Sequence, residues 1–307
     1  MAGLPRRERL LRAHARCGHA CVSEGDPVSD GEERAMCPAV QVKPSPEGVP
    51  GAVTDPTRIR AEQLSFAGAQ GTPVNGYLAS PAGDDERARP AMIVIHTAAG
   101  LAEHAKDVVN RFANLGYVAL GVDLYTREGG PPPMDDMQAV MRRLFAMSDA
   151  TALGDLEGAA DFLRAREQVG GKVGCIGFCM GGRYTLLFAC ASDRLDAAVD
   201  CWGGFIDRAT LDERSTEARP TPPLELADRL QCPLLAAIGA EDGNPSPEMG
   251  EQLRRQVEAS GQEVKVDVYE GAGHAFFADD RPTYRPGPAA ELWRAVVPFL
   301  ERHLAAS

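Results

Sequence analysis

The sequence predicts an α/β fold in which a doubly wound, mostly parallel sheet is covered by helices on both faces. Three observations carry that expectation. From about residue 59 onward, short apolar runs alternate with segments of helical spacing, as in successive β–α units. Several runs, 91–97 above all, are apolar almost without interruption, as strands are when both faces of their sheet are covered. Chemistry-bearing residues recur just past the ends of those runs, where an open parallel sheet gathers its reacting groups.

Residues 1–60 stand apart. The stretch 1–17 is rich in arginine, and 22–56 is rich in glycine, proline and acidic residues with no sustained period. Residues 1–60 therefore read as a disordered extension ahead of a single domain at 61–307. Cys17, His19, Cys21 and Cys37 match no common zinc spacing, so no metal site is expected there.

From residue 63 the elements follow in order. Residues 63–69 and 73–79 alternate as a β-hairpin. Residues 91–97 form a strand, 103–115 a helix closing at Gly116, and 117–122 the next strand, with Asp123, Leu124 and Tyr125 at its end. Beyond the Gly/Pro break at 129–133, residues 134–147 and 152–166 read as helices. The strand 173–178 leads with almost no loop into a helix over 181–190. Strands at 195–201, 233–238 and 263–269 and helices at 247–259 and 289–304 complete the set. There is no internal repeat.

Composition narrows the functional classes. Of 307 residues, 44% are hydrophobic and 25% charged, which are ordinary globular values. A formal net charge of −12 argues against nucleic-acid or anionic-membrane partners. No apolar run reaches the length of a membrane span, and the start of the chain lacks the apolar core of a secretory leader. Eight cysteines in so long a chain do not make a disulfide scaffold; five of them (Cys175, Cys179, Cys190, Cys201 and Cys232) lie in or beside apolar runs. That usage predicts reduced thiols and a cytoplasmic protein.

The chain is organised around Gly177-Phe178-Cys179-Met180-Gly181, at the junction of the 173–178 strand and the helix after it. A nucleophile on so sharp a strand-to-helix turn needs glycine two residues to either side, because the chain nearly touches itself there. Cysteine occupies the place where serine usually stands. At a helix N-terminus the free N–H groups favour its thiolate. Two later strand ends supply partners: Glu241 and Asp242 follow the 233–238 strand, and His274 follows the 263–269 strand. The order Cys179, Asp242, His274 is nucleophile, acid, base, with Glu241 as a rival acid. His274 is expected to take the thiol proton and later activate water, and Asp242 to hold the imidazole tautomer.

Donors for the developing oxyanion are expected from the backbone of Met180 and of Ala98, the latter in the loop 96–101. His96, ending an apolar run, is a competing base assigned a structural or pocket role, and His104 reads as a surface residue. Thr97, Tyr125, Trp202 and Phe277 fall where they can line a small, partly aromatic pocket, or equally pack as ordinary core.

Taken with Gly154-Asp155-Leu156-Glu157, Val122-Asp123-Leu124-Tyr125 and Gly273-His274-Ala275-Phe276, the Gly177–Gly182 motif resembles the dienelactone hydrolase (carboxymethylenebutenolidase) family from about residue 62 to 304. The resemblance implies an α/β-hydrolase fold, no metal or organic cofactor, and a Cys179–His274–Asp242 triad acting on a small ester or enol lactone through an acyl-cysteine. Well-known members carry a glutamate where this chain has Thr97. They also hold the substrate carboxylate with arginines, at positions that fall here at Ala278 and near Met137. Arg142, Arg143, Arg281 and Arg285 are the available replacements. Two other readings of the scaffold stand beside this one: an acyltransferase or thioesterase, and a non-catalytic thiol-redox or binding protein. The sequence gives no oligomeric state.

Overall fold

A computed structural model of the chain describes residues 40–83, 87–211 and 217–305. The strands are β1 (Ile59–Ala67), β2 (Pro73–Pro81), β3 (Arg89–Ile95), β4 (Val118–Val122), β5 (Val169–Phe178), β6 (Ala197–Cys201), β7 (Leu234–Gly239) and β8 (Val264–Tyr269). Together they form one sheet in the order β1-β2-β4-β3-β5-β6-β7-β8. The β1–β2 hairpin pairs antiparallel and joins β4 antiparallel, while every pairing from β4 through β8 is parallel. The α-helices are α1 (Glu103–Asn114), α2 (Met137–Ala146), α3 (Asp149–Arg164), α4 (Met180–Ala191), α5 (Pro247–Glu258) and α6 (Pro286–Leu304).

The period of two along a strand explains the two cores. Ala91, Ile93 and Ile95 of β3 face a layer made by α3, α4 and α5, with Leu156, Leu186 and Leu253. Met92 and Val94 face the opposite layer, made by α1 and α6, with Val108, Phe112, Leu292 and Val296. All five β3 side chains are fully buried, which is why the strand reads as a continuous apolar run. Each large aliphatic side chain so buried contributes about 1.5–3 kcal/mol of transfer free energy.

Three helix starts, those of α2, α3 and α6, lie about three residues from the sequence expectation, and local chemistry gives the reason. Asp136, not residue 133, caps α2, accepting the Ala139 N–H at 3.0 Å. Ser148 caps α3 by accepting the Thr151 N–H, so that helix begins three residues early. In α6 proline sits within the first two positions, where its missing N–H costs nothing.

The expectation for residues 1–60 divides. Residues 1–39, with Cys17, His19, Cys21 and Cys37, lie outside the described residues. Residues 40–58 are not a disordered extension; they lie against α1 as an ordered strap. Val40 N–H bonds Ala61 O at 3.0 Å, Ser45 Oγ donates to Asp107 Oδ1 at 2.6 Å, and Val53 is fully buried. The strap buries few side chains and forms no long regular element, so it leaves no period in the sequence. No helix among the described residues is long and apolar enough to cross a membrane.

Candidate active site

Cys179 stands between β5 and α4 with φ 57° and ψ −114°. The conformation is strained for a residue with a Cβ, and it lifts the side chain out of the turn. Its N–H is tied to Cys201 O at 2.9 Å and its carbonyl accepts the Arg183 N–H at 3.1 Å. Gly177 and Gly181 are required by contact: a Cβ on Gly177 would collide with the Gly181 carbonyl, and one on Gly181 with the Ile95 carbonyl. The pentapeptide spacing therefore has a direct steric cause.

The elements on either side bring groups to the sulfur. Burial alone pushes the Cys179 thiol up. A hydrogen bond to His274, the charge of that ring, and the backbone N–H groups of Met180 and Ala98 outweigh it and hold the thiol below its ordinary range. His274, just past β8, is affected in the opposite sense. Burial would lower it, but Asp242 and the Cys179 sulfur raise it to about 10. Asp242 follows β7, with its side chain almost wholly buried. Its Oδ2 lies 2.8 Å from His274 Nδ1 and its Oδ1 accepts the Asn244 N–H at 3.0 Å. Glu241 points to solvent. Of the two acids the sequence left open, Asp242 is the one beside the histidine.

His96 occupies both ring nitrogens. Its Nδ1 lies 2.6 Å from Thr97 O and its Nε2 accepts the Leu124 N–H at 3.1 Å. Burial also holds its pKa down. The ring is thus a neutral strut between the ends of β3 and β4, and it steadies the loop that presents Ala98. Thr97 is half-buried, and its Oγ1 accepts the Ala99 N–H at 3.2 Å.

Tyr125 is buried with its hydroxyl 3.3 Å from Met180 Sδ; burial and then the nearby Cys179 charge raise its pKa. The Arg143 guanidinium lies 5.7 Å from the centre of its ring. Arg142 instead approaches Asp136, Arg281 approaches Asp280, and Arg285 donates to the Pro282 and Tyr284 carbonyls.

Trp202 and Phe277 are each 1% exposed and belong to an aromatic layer. Trp202 packs against Phe178 and Phe276, and Phe277 stacks between Phe178 and Trp293. His104, expected at the surface, is mostly buried beside Asp279, with 2.5 Å between Nδ1 and Oδ1. A cavity of about 400 Å³ lies in this second region, between the strap residues Val40–Pro46 and α1, and is lined in part by His104, Asn110 and Asp279.

A buried ion pair on the helix that follows Cys179 escaped the sequence reading. Arg183, four residues past Cys179, meets Asp149 with both terminal nitrogens at 2.6 and 2.9 Å and donates to Phe205 O at 3.2 Å. It locks the first turn of α4 to the first turn of α3. The partners are 34 residues apart, and nothing local marks them.

Known proteins resemble this chain over most of its length. The profile of the "Dienelactone hydrolase family" matches residues 74–304. A Salmonella typhimurium protein named "Putative carboxymethylenebutenolidase" is 31% identical over 236 residues, spanning 76% of this chain and 85% of that protein. A Bradyrhizobium protein named "Probable 2-oxo-3-(5-oxofuran-2-ylidene)propanoate lactonase" is 28% identical, spanning 70% of this chain and 84% of its own. Among solved structures, a Klebsiella pneumoniae protein described as a "Putative Dienelactone Hydrolase" superposes with a TM-score of 0.72 at 29% identity, over 80% of this chain and 99% of that one. With its eight-stranded, mostly parallel sheet, the chain has the α/β-hydrolase fold and belongs to the dienelactone hydrolase family of hydrolases.

Proposed function

We propose that the protein hydrolyses a small ester or enol lactone through an acyl-Cys179 intermediate. The observation that carries this reading is the setting of Cys179, between the His274 ring and two backbone N–H groups. In the resting pair the proton lies on His274 and the negative charge on sulfur. The thiolate attacks the carbonyl carbon, and the carbonyl oxygen takes the negative charge within reach of the Met180 and Ala98 N–H groups. Each such donor is worth roughly 3–4 kcal/mol of transition-state stabilisation in comparable sites.

Collapse breaks the C–O bond, and His274 gives its proton to the departing alkoxide or enolate. In a lactone the leaving oxygen remains on the acyl chain. A water molecule then gives a proton to His274 as its oxygen attacks the thioester. The C–S bond breaks, the carboxylic acid leaves, and the thiolate is restored. Asp242 keeps the ring oriented and its charged form stabilised throughout.

Substrate choice follows from what borders the sulfur. Tyr125 and Thr97 are assigned to the pocket wall, and Trp202 and Phe277 to the aromatic layer behind it. Arg143, the one of the four candidate arginines found over Tyr125, is assigned to an anionic group on the substrate. The lactonase and carboxymethylenebutenolidase names of the relatives agree with a carboxylated lactone.

The experiment is mass spectrometry of the enzyme quenched during turnover of p-nitrophenyl acetate. An acetyl group on the peptide carrying Cys179 supports the reading; turnover with the acyl group on another residue overturns it.

A further inference from the structure

The segment after β8 carries His274 without a ladder of strand or helix hydrogen bonds to hold it. It is a tight turn: Ala275 takes φ 63°, and Ala278 N–H closes onto Ala275 O at 3.0 Å. Phe276 and Phe277 sink into the aromatic layer, but apolar contact is non-directional and sets depth better than rotation. Beside the Asp242 contact, the Glu241 N–H on Ala272 O at 2.9 Å and the Arg285 N–H on Phe276 O at 2.9 Å, a buried charged restraint comes at the far end of the turn, five residues beyond His274. There Asp279, with its side chain 5% exposed, receives Arg111 Nη2 at 2.9 Å. His104 approaches the other carboxylate oxygen at 2.5 Å.

Arg111 is fully buried and spends its three nitrogens on three different parts of the chain. Nη2 goes to Asp279, Nε to Asp107 Oδ2 at 2.8 Å, and Nη1 to the strap carbonyl of Pro50 at 3.3 Å. Its guanidinium also lies 5.6 Å from the Phe277 ring centre. Asp107 is in turn held by the strap, since Ser45 Oγ donates to its Oδ1 at 2.6 Å while accepting the Val53 N–H at 2.9 Å. A planar guanidinium with every edge engaged fixes orientation as a point charge does not.

We infer that Arg111 and Asp279 are positioning residues that set His274 against Cys179, and that strap residues 45–53 are the outer brace of that pair. The strap is then part of the hydrolytic machinery. This rests on the reading of His274 as the base, and the test separates the two.

The test uses the full chain carrying Asp279→Ala, Asp279→Asn, Ser45→Ala or His274→Ala, each checked for its fold by circular dichroism. Two quantities are read: kcat and KM on a short p-nitrophenyl ester, and the pH dependence of Cys179 alkylation by iodoacetamide, which needs no turnover. Misplacing a reacting group by about 1 Å costs up to about a hundredfold, so Asp279→Ala is expected to lower kcat by about ten- to a hundredfold. KM should stay within about twofold, since substrate binding is untouched. The alkylation inflection should move up towards that of an ordinary thiol. Asp279→Asn, which still offers Arg111 an oxygen, should recover most of the loss, and Ser45→Ala should show a smaller loss in the same direction.

A folded Asp279→Ala variant with wild-type kcat and an unmoved inflection overturns the inference. If Asp279→Ala does not fold, the same null result in Ser45→Ala overturns it. A His274→Ala variant whose alkylation profile matches wild type overturns the catalytic reading itself, and this inference with it.

Discussion

His274 Nδ1 lies 2.8 Å from Asp242 Oδ2, and the carboxylate is almost wholly buried while Glu241 beside it faces solvent. The two acids are adjacent in sequence but sit in opposite environments. Only the buried one can fix the imidazole so that its other nitrogen faces Cys179. Asp242→Asn is expected to lower kcat by about 10³–10⁴-fold, because the amide selects the wrong tautomer. Glu241→Gln should stay within about twofold. Steady-state kinetics on one ester decides between them, and the reverse ranking would reassign the acid.

The opposed shifts of Cys179 and His274 define a pH window. The thiol is held below its ordinary range and the imidazole is raised to about 10, so between the two both groups are charged. By linkage, the raised imidazole adds stability that is fully present below its unfolded value and lost as pH rises through about 10. The depressed thiol adds stability that is present above its unfolded value and lost as pH falls through its folded one. The inflection of Cys179 alkylation by iodoacetamide should therefore fall below the ordinary thiol pKa of about 8.5. A single inflection at that ordinary value would mean that no ion pair forms.

The strap makes a prediction about where the domain begins. We place residues 40–58 inside the domain rather than ahead of it. A chain beginning at Ile59 loses the fully buried Val53 and the Ser45–Asp107 tie. The first of these alone is worth about 1.5–2 kcal/mol. Urea unfolding of chains beginning at Val40 and at Ile59 should show the shorter one less stable by at least that amount. Equal midpoints would contradict an integral strap.

Arg143 tests the substrate. Its guanidinium over Tyr125 places a positive charge beside the proposed pocket, at a position other than the family's usual arginines. Arg143→Met should reduce kcat/KM for a carboxylated enol lactone about tenfold or more, through loss of a charge-assisted contact. Activity on neutral p-nitrophenyl esters should stay within about threefold. Equal losses on both would give Arg143 a structural role instead.

The legible and illegible parts of this molecule divide by the range of the forces involved. The strands, their parallel order and the turn at Cys179 are written locally, in apolar runs and in glycines that steric contact demands. That Cys179, Asp242 and His274 stand near one another could be expected because each lies within a few residues of the end of a strand, past β5, β7 and β8. Arg183–Asp149 and Arg111–Asp279 were invisible because their partners meet only once the helices pack, 34 and 168 residues apart. His104 looked like a surface residue because burial by a distant loop leaves no local trace. The strap was hidden for a related reason: it is anchored by Val53 and by polar ties to α1, and such contacts have no period.

The most direct test of the account is hydrolysis of a panel of enol lactones and short p-nitrophenyl esters by the wild type and by Cys179→Ala. The account predicts cleavage of both classes by the wild type, with the carboxylated dienelactone preferred, and no cleavage by a folded Cys179→Ala variant. Undiminished turnover by Cys179→Ala would contradict it, because every step proposed here passes through that sulfur.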